Sequence, residues 1–456
     1  MTRLLESCRI EPAPAPEEER FLPLTFFDIV WIPFHPIRRL LFFEIPDCSK
    51  KHFSETVVPK LKESLSVALK HYFPLAATLL FPLDGAAEFP VYRSAPGDSV
   101  HLTIVESAAD FQDLVGNHPR DADLFYDFIP ELPPVSDEPG FRLVKLLALK
   151  VTHFPGRGIC IGVANHHSVG DASSIVAFIK SWASICKNGG DEELLISESE
   201  SLPVLDRSLV KEPPGIKSHF WNIVKNFPIE SSHFPLPTNR VRATYVLGQP
   251  EIKKLKSLLQ PRMPPGLVHI SSFVSAAALF WTCLQKSVVT AELEEDEDLD
   301  ACFLFAVDGR ARLDPPVPKN YFGNVLGTGL CTIKLRDVIG EEGFFMAAEA
   351  IATEIQCKVN AKGKLMADVM EWLPKVMAAV QKPIVSMSGS ARVDLYEADF
   401  GWGKMRKMES LSIDGEKYAI SICQAGGSGG GIELGVSLPK SAMDAFAAAV
   451  AEVLKD

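Results

Sequence analysis

No two of the nine cysteines are spaced as a C-x-x-C pair, and an odd set scattered singly from Cys8 to Cys423 suits neither a disulfide framework nor a structural zinc site. They read as reduced thiols, mostly buried, and none lies beside a histidine that would activate it. A long apolar run is also missing. Proline or charge interrupts even the richest stretches before the ~20 residues a membrane helix needs. The first twenty residues hold no signal-peptide core, because Pro12, Pro14 and Pro16 are followed by Glu17, Glu18 and Glu19. A cytosolic chain with no membrane partner is therefore expected. Basic charge is in deficit, 46 Lys and Arg against 58 Asp and Glu for a formal net charge of −12, whereas a nucleic acid or an anionic membrane asks for a basic face. A small-molecule substrate fits this balance better.

What is present is the composition of a globular protein, 47% hydrophobic and 23% charged, over 456 residues, enough for two domains of ordinary size. The segment 54–73 places Leu61, Leu65, Leu69 and Phe73 four apart, one face of an amphipathic helix. From Phe141 to Thr152 the pattern reads as a strand, and the turn residues at 153–158 then precede a second, alternating strand through Ile159, Ile161 and Val163. From Ala172 to Cys186 the period changes, with Ile175, Phe178, Ile179, Trp182 and Ile185 along one helical face. Residues 187–240 are polar and proline-rich, which places a domain boundary near 205–240: a domain over 1–205, a crossover linker over 206–240 and a second domain over 241–456. In the second half, 269–286 reads as a helix, 302–308 and 432–438 as strands, and 441–454 as a closing helix with Ser441 at its N-cap and Met443, Phe446, Val450 and Val453 on its buried face. The acidic run at 291–300 reads as a solvated loop, because like charges in series repel and extend.

Three stretches carry candidate chemistry. His166 and His167 lie where an apolar strand ends and a helix begins, followed by Ser168, Val169, Gly170 and Asp171. A neutral imidazole there can take a proton from a hydroxyl near pH 7, while one of the two histidines is read as structural. Asp171 has a local role open to it as well, the N-cap of the helix, accepting from the amide of Ser173 or Ser174. The i,i+4 His and Asp of HHSVGD lack a third ligand or an H-E-x-x-H motif, so no metal site is read here. The second stretch is DFGWGK at 399–404, where Gly401 and Gly403 suit a tight turn around Trp402. The third is VDGRARLDPPVPKNYFGN at 307–324, in which Arg310 and Arg312 follow a strand.

Together these stretches resemble the plant BAHD acyltransferase family, which combines an HxxxD motif in mid-chain with a DFGWG motif near the C-terminus. Here HxxxD is His167 to Asp171 and DFGWG is Asp399 to Gly403, both intact. The resemblance extends to LPLTFFDIVWIPFHPIRRLLFFEIP at 22–46 and to the closing GGIELGVSLPKSAMDAF, and so covers nearly the whole chain. NYFGN at 320–324 narrows it to the branch acting on anthocyanins and other flavonoid or phenolic glucosides, many of whose members use malonyl-CoA. That branch often shows YFGNC, and this chain has Val325 in place of the cysteine.

The resemblance implies an α/β fold of two similar-sized mixed-sheet domains, chloramphenicol acetyltransferase-like, with an active-site channel between them. It implies acyl-CoA as co-substrate with no tightly bound cofactor, a small phenolic glycoside as acceptor and a monomeric enzyme. His167 would act as general base, and Asp171 would turn away to pair with Arg310, supporting the His-bearing turn. Asp399, Gly401 and Gly403 would be structural, and Trp402 would be a donor to the oxyanion of the tetrahedral intermediate. Candidates for the coenzyme A mouth are Lys253, Lys254 and Lys256 with Ser271 and Ser272. Malonyl-CoA is favoured over an aromatic donor such as coumaroyl-CoA. A malonyl carboxylate must meet a cation, for which Lys404 and Arg157 are candidates. Two other classes remain, a silent binder of the same fold and a hydrolase using His167 with a serine such as Ser168. The hydrolase is read as lacking a G-x-S-x-G elbow.

Overall fold

The protein is seen in a computed structural model that describes residues 2–83, 89–193, 196, 202–229, 236–264, 270–292, 298–359, 365–427 and 429–455. Strands β1 (Thr2–Ile10), β2 (Ile37–Glu44), β3 (Val100–Ser107), β4 (Leu147–Phe154), β5 (Gly158–Asn165) and β6 (Met405–Ser410) form a six-stranded sheet in the order β1-β3-β4-β5-β2-β6. Only β3 and β4 run parallel in it; the other pairs are antiparallel. A seven-stranded mixed sheet takes the order Leu326–Lys334, Asp300–Asp308, Ile384–Ser390, Ala419–Gln424, Ile432–Pro439, Arg240–Leu247, Arg120–Asp121. A smaller antiparallel sheet of five strands includes Thr78–Pro82 and Phe141–Lys145. The chain is α/β with mixed sheets.

The hairpin expected after residue 152 is β4 and β5, registered Leu147↔Asn165 to Phe154↔Gly158. The single strand read over 141–152 is in fact two. Phe141–Lys145 pairs with Thr78–Pro82 in the small sheet, and β4 belongs to the large one. The break falls at Leu146, where consecutive buried residues from Leu146 to Leu149 interrupt the alternation that a half-exposed strand would keep.

The helix Ala172–Lys187 buries Ile175, Phe178, Ile179, Trp182 and Ile185, as its period requires. Full burial of side chains this large contributes roughly 1.5–3 kcal/mol each. Trp182 Nε1 also donates to the Leu61 carbonyl at 3.2 Å and Ser64 Oγ at 3.1 Å, which fixes the helix against Val58–His71. The long helix Ser272–Glu292 is long and apolar enough to cross a membrane by composition, yet 78% of its most apolar window is buried inside the fold. The closing helix begins at Lys440, so Ser441 lies in its first turn instead of capping it. Residues 293–297 of the acidic run lie outside the described residues.

The two halves exchange strands: β6 comes from beyond residue 400 to complete the first sheet, and Arg120–Asp121 edges the second. A buried charge network sits at that exchange. Glu409 on β6 accepts from Arg120 at 2.8 Å and Arg242 at 3.1 Å, and Arg242 also pairs with Asp414. The proline-rich segment read as a linker carries the helix Ile216–Val224, whose Phe220 stacks on Phe26 and whose Trp221 packs edge-on against Phe81. The letters G-x-S-x-G do occur once, at 426–430. Their serine, Ser428, lies outside the described residues, and the elements on either side are two antiparallel strands, Ala419–Gln424 and Ile432–Pro439, where a nucleophile elbow would join a strand to a helix.

Candidate active site

The end of β5 sets the site. Asn165 is fully buried and closes the strand opposite Ile37, and the next residue is held by its backbone, His166 N donating to the Leu146 carbonyl at 2.9 Å. The His166 ring turns inward. Its Nδ1 meets Ser168 Oγ at 2.8 Å and accepts from the Ser168 amide at 3.4 Å, while the Ile32 carbonyl takes its other proton. Burial lowers its pKa to about 4. His166 is thus a neutral structural histidine.

His167 is different. It is half-buried and stacks face to face on Trp31, centroids 4.0 Å apart and planes 10° from parallel, with Phe34 edge-on at 6.2 Å. Phe34 is exposed, so this aromatic wall reaches the surface. Burial lowers the His167 pKa to about 4, its own backbone carbonyl and Asp171 oppose that shift, and Arg39 and His35 add to it. At neutral pH the ring is an uncharged base.

Asp171 fills both roles open to it. Its Oδ1 accepts from the Ser174 amide at 3.1 Å as the N-cap of the following helix. Its two oxygens also take Arg310 in a fork, Nη1 to Oδ2 at 2.8 Å and Nη2 to Oδ1 at 3.0 Å, and Oδ2 takes the Val325 amide at 3.1 Å. Burial alone would raise this carboxyl, and the guanidinium and amides bring it below the usual range instead. Arg310 extends to the carbonyls of Tyr321 and Gly323, and so ties the YFGN loop to the His-bearing turn. Breaking such a buried pair strands a charge, at a cost of about 3–5 kcal/mol. Asp171→Ala and Arg310→Ala should therefore each lower thermal stability and activity together, and the double variant should cost less than their sum. Thermal melts in a double-mutant cycle check this; strict additivity would contradict it.

The DFGWG turn lies elsewhere. Asp399 Oδ1 accepts from the Gly401 and Gly403 amides at 2.8 and 3.3 Å, and both glycines have positive φ, 98° and 111°. Its other oxygen pairs with Lys187 at 2.8 Å, at the far end of the helix Ala172–Lys187. Phe400 packs on Trp182 and Phe43, and Trp402 stacks on Phe400 with its ring edge-on to Phe43, 6.4 Å between centroids. Phe43 pairs with Ile159 and Ile37 with Asn165. Trp402 therefore sits at the opposite end of β5 from His167, some six residues or about 20 Å along the strand from Asn165 at ~3.3 Å per residue. That separation removes it as a donor to an oxyanion formed at His167, and the turn is a clasp that seats β6. Arg157 lies exposed in the β4–β5 turn, at that same remote end, and Lys404 is exposed beside the clasp. Neither is the cation of the site.

The proposed coenzyme A residues are dispersed. Lys253 is exposed on the helix Gln249–Leu259, Lys256 is half-buried there, and Lys254 donates to the Leu454 carbonyl at 3.0 Å, near the end of the closing helix. Ser271 caps the helix Ser272–Glu292, its Oγ accepting from the Val274 amide at 3.1 Å, and Ser272 opens that helix half-exposed. Among the described residues none of the five hydrogen bonds to the His167 cluster.

Three residues of the site were not picked out in the sequence: Trp31, Arg39 and Asn324. Arg39 stands on β2 with Nη1 on Asn165 Oδ1 at 3.2 Å, close enough to His167 and Asp171 for its charge to act on both. Burial lowers its pKa to about 10, with Asp171 opposing. Among the described residues it has no carboxylate at ion-pair distance. The signal for it was present in the IRRL pattern, where a charged pair interrupts an otherwise apolar strand.

The site thus joins a base at a strand end to a buried Asp–Arg clamp behind it, and a family model under the description Transferase family matches residues 3–453. The chain belongs to this family, the BAHD acyltransferases. It is an acyl-CoA-dependent O-acyltransferase. It is 44% identical over 447 residues to the malonyl-coenzyme:anthocyanin 5-O-glucoside-6'''-O-malonyltransferase of Salvia splendens, covering 98% of this chain and 94% of that one. A phenolic glucoside malonyltransferase of Nicotiana tabacum is 39% identical, with 91% of each covered. A coumaroyl-CoA:anthocyanidin 3-O-glucoside-6''-O-coumaroyltransferase of Arabidopsis thaliana is 34% identical, covering 97% and 96%. Among solved structures, vinorine synthase shares the fold at a TM-score of 0.72 and 19% identity, covering 98% of this acyltransferase and 96% of that chain.

Proposed function

We propose that this acyltransferase moves a malonyl group from malonyl-CoA onto a hydroxyl of the sugar of a flavonoid or other phenolic glucoside, acting in the cytosol as a monomer without a membrane partner. The observation that carries the donor choice is Arg39. A half-buried guanidinium beside the base, with no carboxylate partner among the described residues, is what a donor ending in a carboxylate requires, and its planar fork can take both oxygens at once. An aromatic acyl group would ask for an apolar slot without a buried cation. The malonyltransferase names of the relatives at 44% and 39% identity point the same way.

The chemistry follows from His167. Its neutral ring takes the proton of the acceptor hydroxyl, the oxygen attacks the thioester carbonyl, and the C–S bond of the tetrahedral intermediate breaks. The departing thiolate recovers the proton from the imidazolium. No acyl-enzyme forms, so both substrates are present together. The exposed edge of the Trp31 and Phe34 wall gives the acceptor's planar ring a surface to lie on. The coumaroyltransferase relative at 34% identity supplies the competing donor. With one glucoside acceptor, the specificity constant for malonyl-CoA should exceed that for coumaroyl-CoA; the reverse order overturns the donor assignment and leaves the acyl transfer standing.

A further inference from the structure

We propose that Arg207, on the segment that crosses between the two halves, is a positioning residue that holds the YFGN loop and the Trp31 turn together around His167; this rests on His167 being the base. Arg207 stands in LPVLDRS at 202–208, at the start of the stretch read as a linker. That stretch is not a passive connection. The Val204 amide donates to the Asn320 carbonyl and the Phe322 amide to the Val204 carbonyl, both at 2.9 Å, so Val204 and Tyr321 pair as a parallel bridge. Asn320 Nδ2 adds a bond to the Leu202 carbonyl at 2.8 Å. Asp206 then caps the turn Arg207–Leu209, accepting from the Ser208 amide at 2.9 Å, and the Arg207 side chain is buried.

One guanidinium serves both loops. Its Nη1 donates to the Phe322 carbonyl, its Nε faces Asp28 Oδ2 at 3.9 Å, and the group stands over the Tyr321 ring, 5.2 Å from the centroid. Asp28 is fully buried, and among the described residues Arg207 is its one cation at ion-pair distance. Gly323 shows how closely the side chain is fitted. A Cβ there would lie 2.7 Å from Nη1 and 3.2 Å from Cζ, so the loop passes the guanidinium only as glycine.

Both contacts lead on to the base. Beyond the Phe322 carbonyl, the Gly323 amide donates to Ser174 Oγ at 3.0 Å, and the Gly323 carbonyl takes Ser174 Oγ at 2.9 Å and Arg310 Nη2 at 3.2 Å, which seats the loop on the Asp171 clamp. Asp28 Oδ1 takes the Asn324 amide at 2.9 Å, and Asn324 Nδ2 donates to the carbonyls of His167 at 3.0 Å and Ser168 at 2.8 Å. The Asp28 carbonyl takes the Trp31 amide at 3.2 Å, and Trp31 is the ring on which His167 stacks. One loop thus braces the backbone of His167 and the other its ring face, and Arg207 touches both. A base held in this way loses alignment when the two loops shift, and a displacement of about 1 Å can cost ~10²-fold in rate.

The test is the kinetics of Arg207→Met, which keeps an apolar stem and removes the donor and the charge. Its kcat per folded enzyme should fall roughly 10- to 100-fold, with KM for malonyl-CoA and for the glucoside within about two-fold, since only the geometry of the base is disturbed. Arg207→Lys, which keeps the charge and a donor, should lie between that variant and the wild type. If Arg207→Met does not fold, Gly323→Ala is measured in its place, because its methyl must displace the guanidinium while Arg207 is still present. Wild-type kcat in either folded variant, a rise in KM at unchanged kcat, or a kcat loss explained by the unfolded fraction in thermal melts overturns the inference. So does an Arg207→Lys no faster than Arg207→Met. Retained transfer in His167→Ala would instead overturn the general base, whatever the Arg207 variants show.

Discussion

His167→Ala should lower kcat/KM by ~10²–10⁴ while leaving the melting temperature close to that of the wild type. The ring stacks on Trp31 but makes no hydrogen bond to another described side chain, so its removal takes away chemistry and little structure. His166→Ala should show the opposite balance. Its ring links Ser168 and the Ile32 carbonyl, so its loss should cost more stability than rate. Steady-state rates beside thermal melts for the two variants check this. An active His167→Ala beside a folded but dead His166→Ala would reverse the assignment.

The same ring fixes a pH dependence. Because the folded pKa of His167 is lowered to about 4 from an ordinary 6.5, the base stays neutral, and the acid limb of kcat/KM in the free enzyme should lie well below pH 6. The sign for stability is opposite to that of a histidine gaining a partner. Both histidines bind the proton more weakly when folded, so their contribution is full above pH 6.5 and is lost as pH falls toward 4. Rate should thus outlast stability on the way down.

The second large effect is expected at Arg39. Arg39→Gln removes the cation while keeping a polar side chain on β2, and truncating one partner of a buried charge pair costs ~2–5 kcal/mol. That corresponds to a loss of ~30-fold or more in kcat/KM for malonyl-CoA. Acetyl-CoA, which lacks the terminal carboxylate, serves as the control donor and should change only a few-fold. The ratio of the two specificity constants therefore carries the result. Equal losses with both donors would show that Arg39 supports the strand and does not read the carboxylate.

Arg39 also shows where the sequence stopped being legible. Its two neighbours in the argument were visible: a strand ending in HH followed by a helix is a local pattern, and Asp171 four residues on falls at the N-cap by the same local rule. The amphipathic face of Ala172–Lys187 and the β4–β5 hairpin were readable for that reason. The cation was sought in the wrong places because nearness to His167 along the chain, as for Arg157, or nearness to a motif, as for Lys404, does not give nearness in space. Strand pairing does. Register carries Arg39 alongside the end of β5 and leaves Arg157 at the opposite end of the hairpin. Trp402 failed for the same reason, since its turn is bound to the far end of β2. The strand exchange that brings β6 into the first sheet pairs residues more than 350 positions apart, and no periodicity reports such a contact.

Asp171 and Arg310 lie on opposite sides of that long-range divide, and the fork between them is present because two loops 139 residues apart meet behind the base. The family pattern made this pair foreseeable; composition and spacing alone did not.

The most direct measurement is thiol release by the wild-type enzyme, with the product identified by mass spectrometry, given malonyl-CoA with and without a flavonoid glucoside. Direct transfer through His167 predicts free coenzyme A and malonylated glucoside in equal amounts, with release requiring both substrates. Free malonate formed without the acceptor, at a rate comparable to the complete reaction, would contradict it.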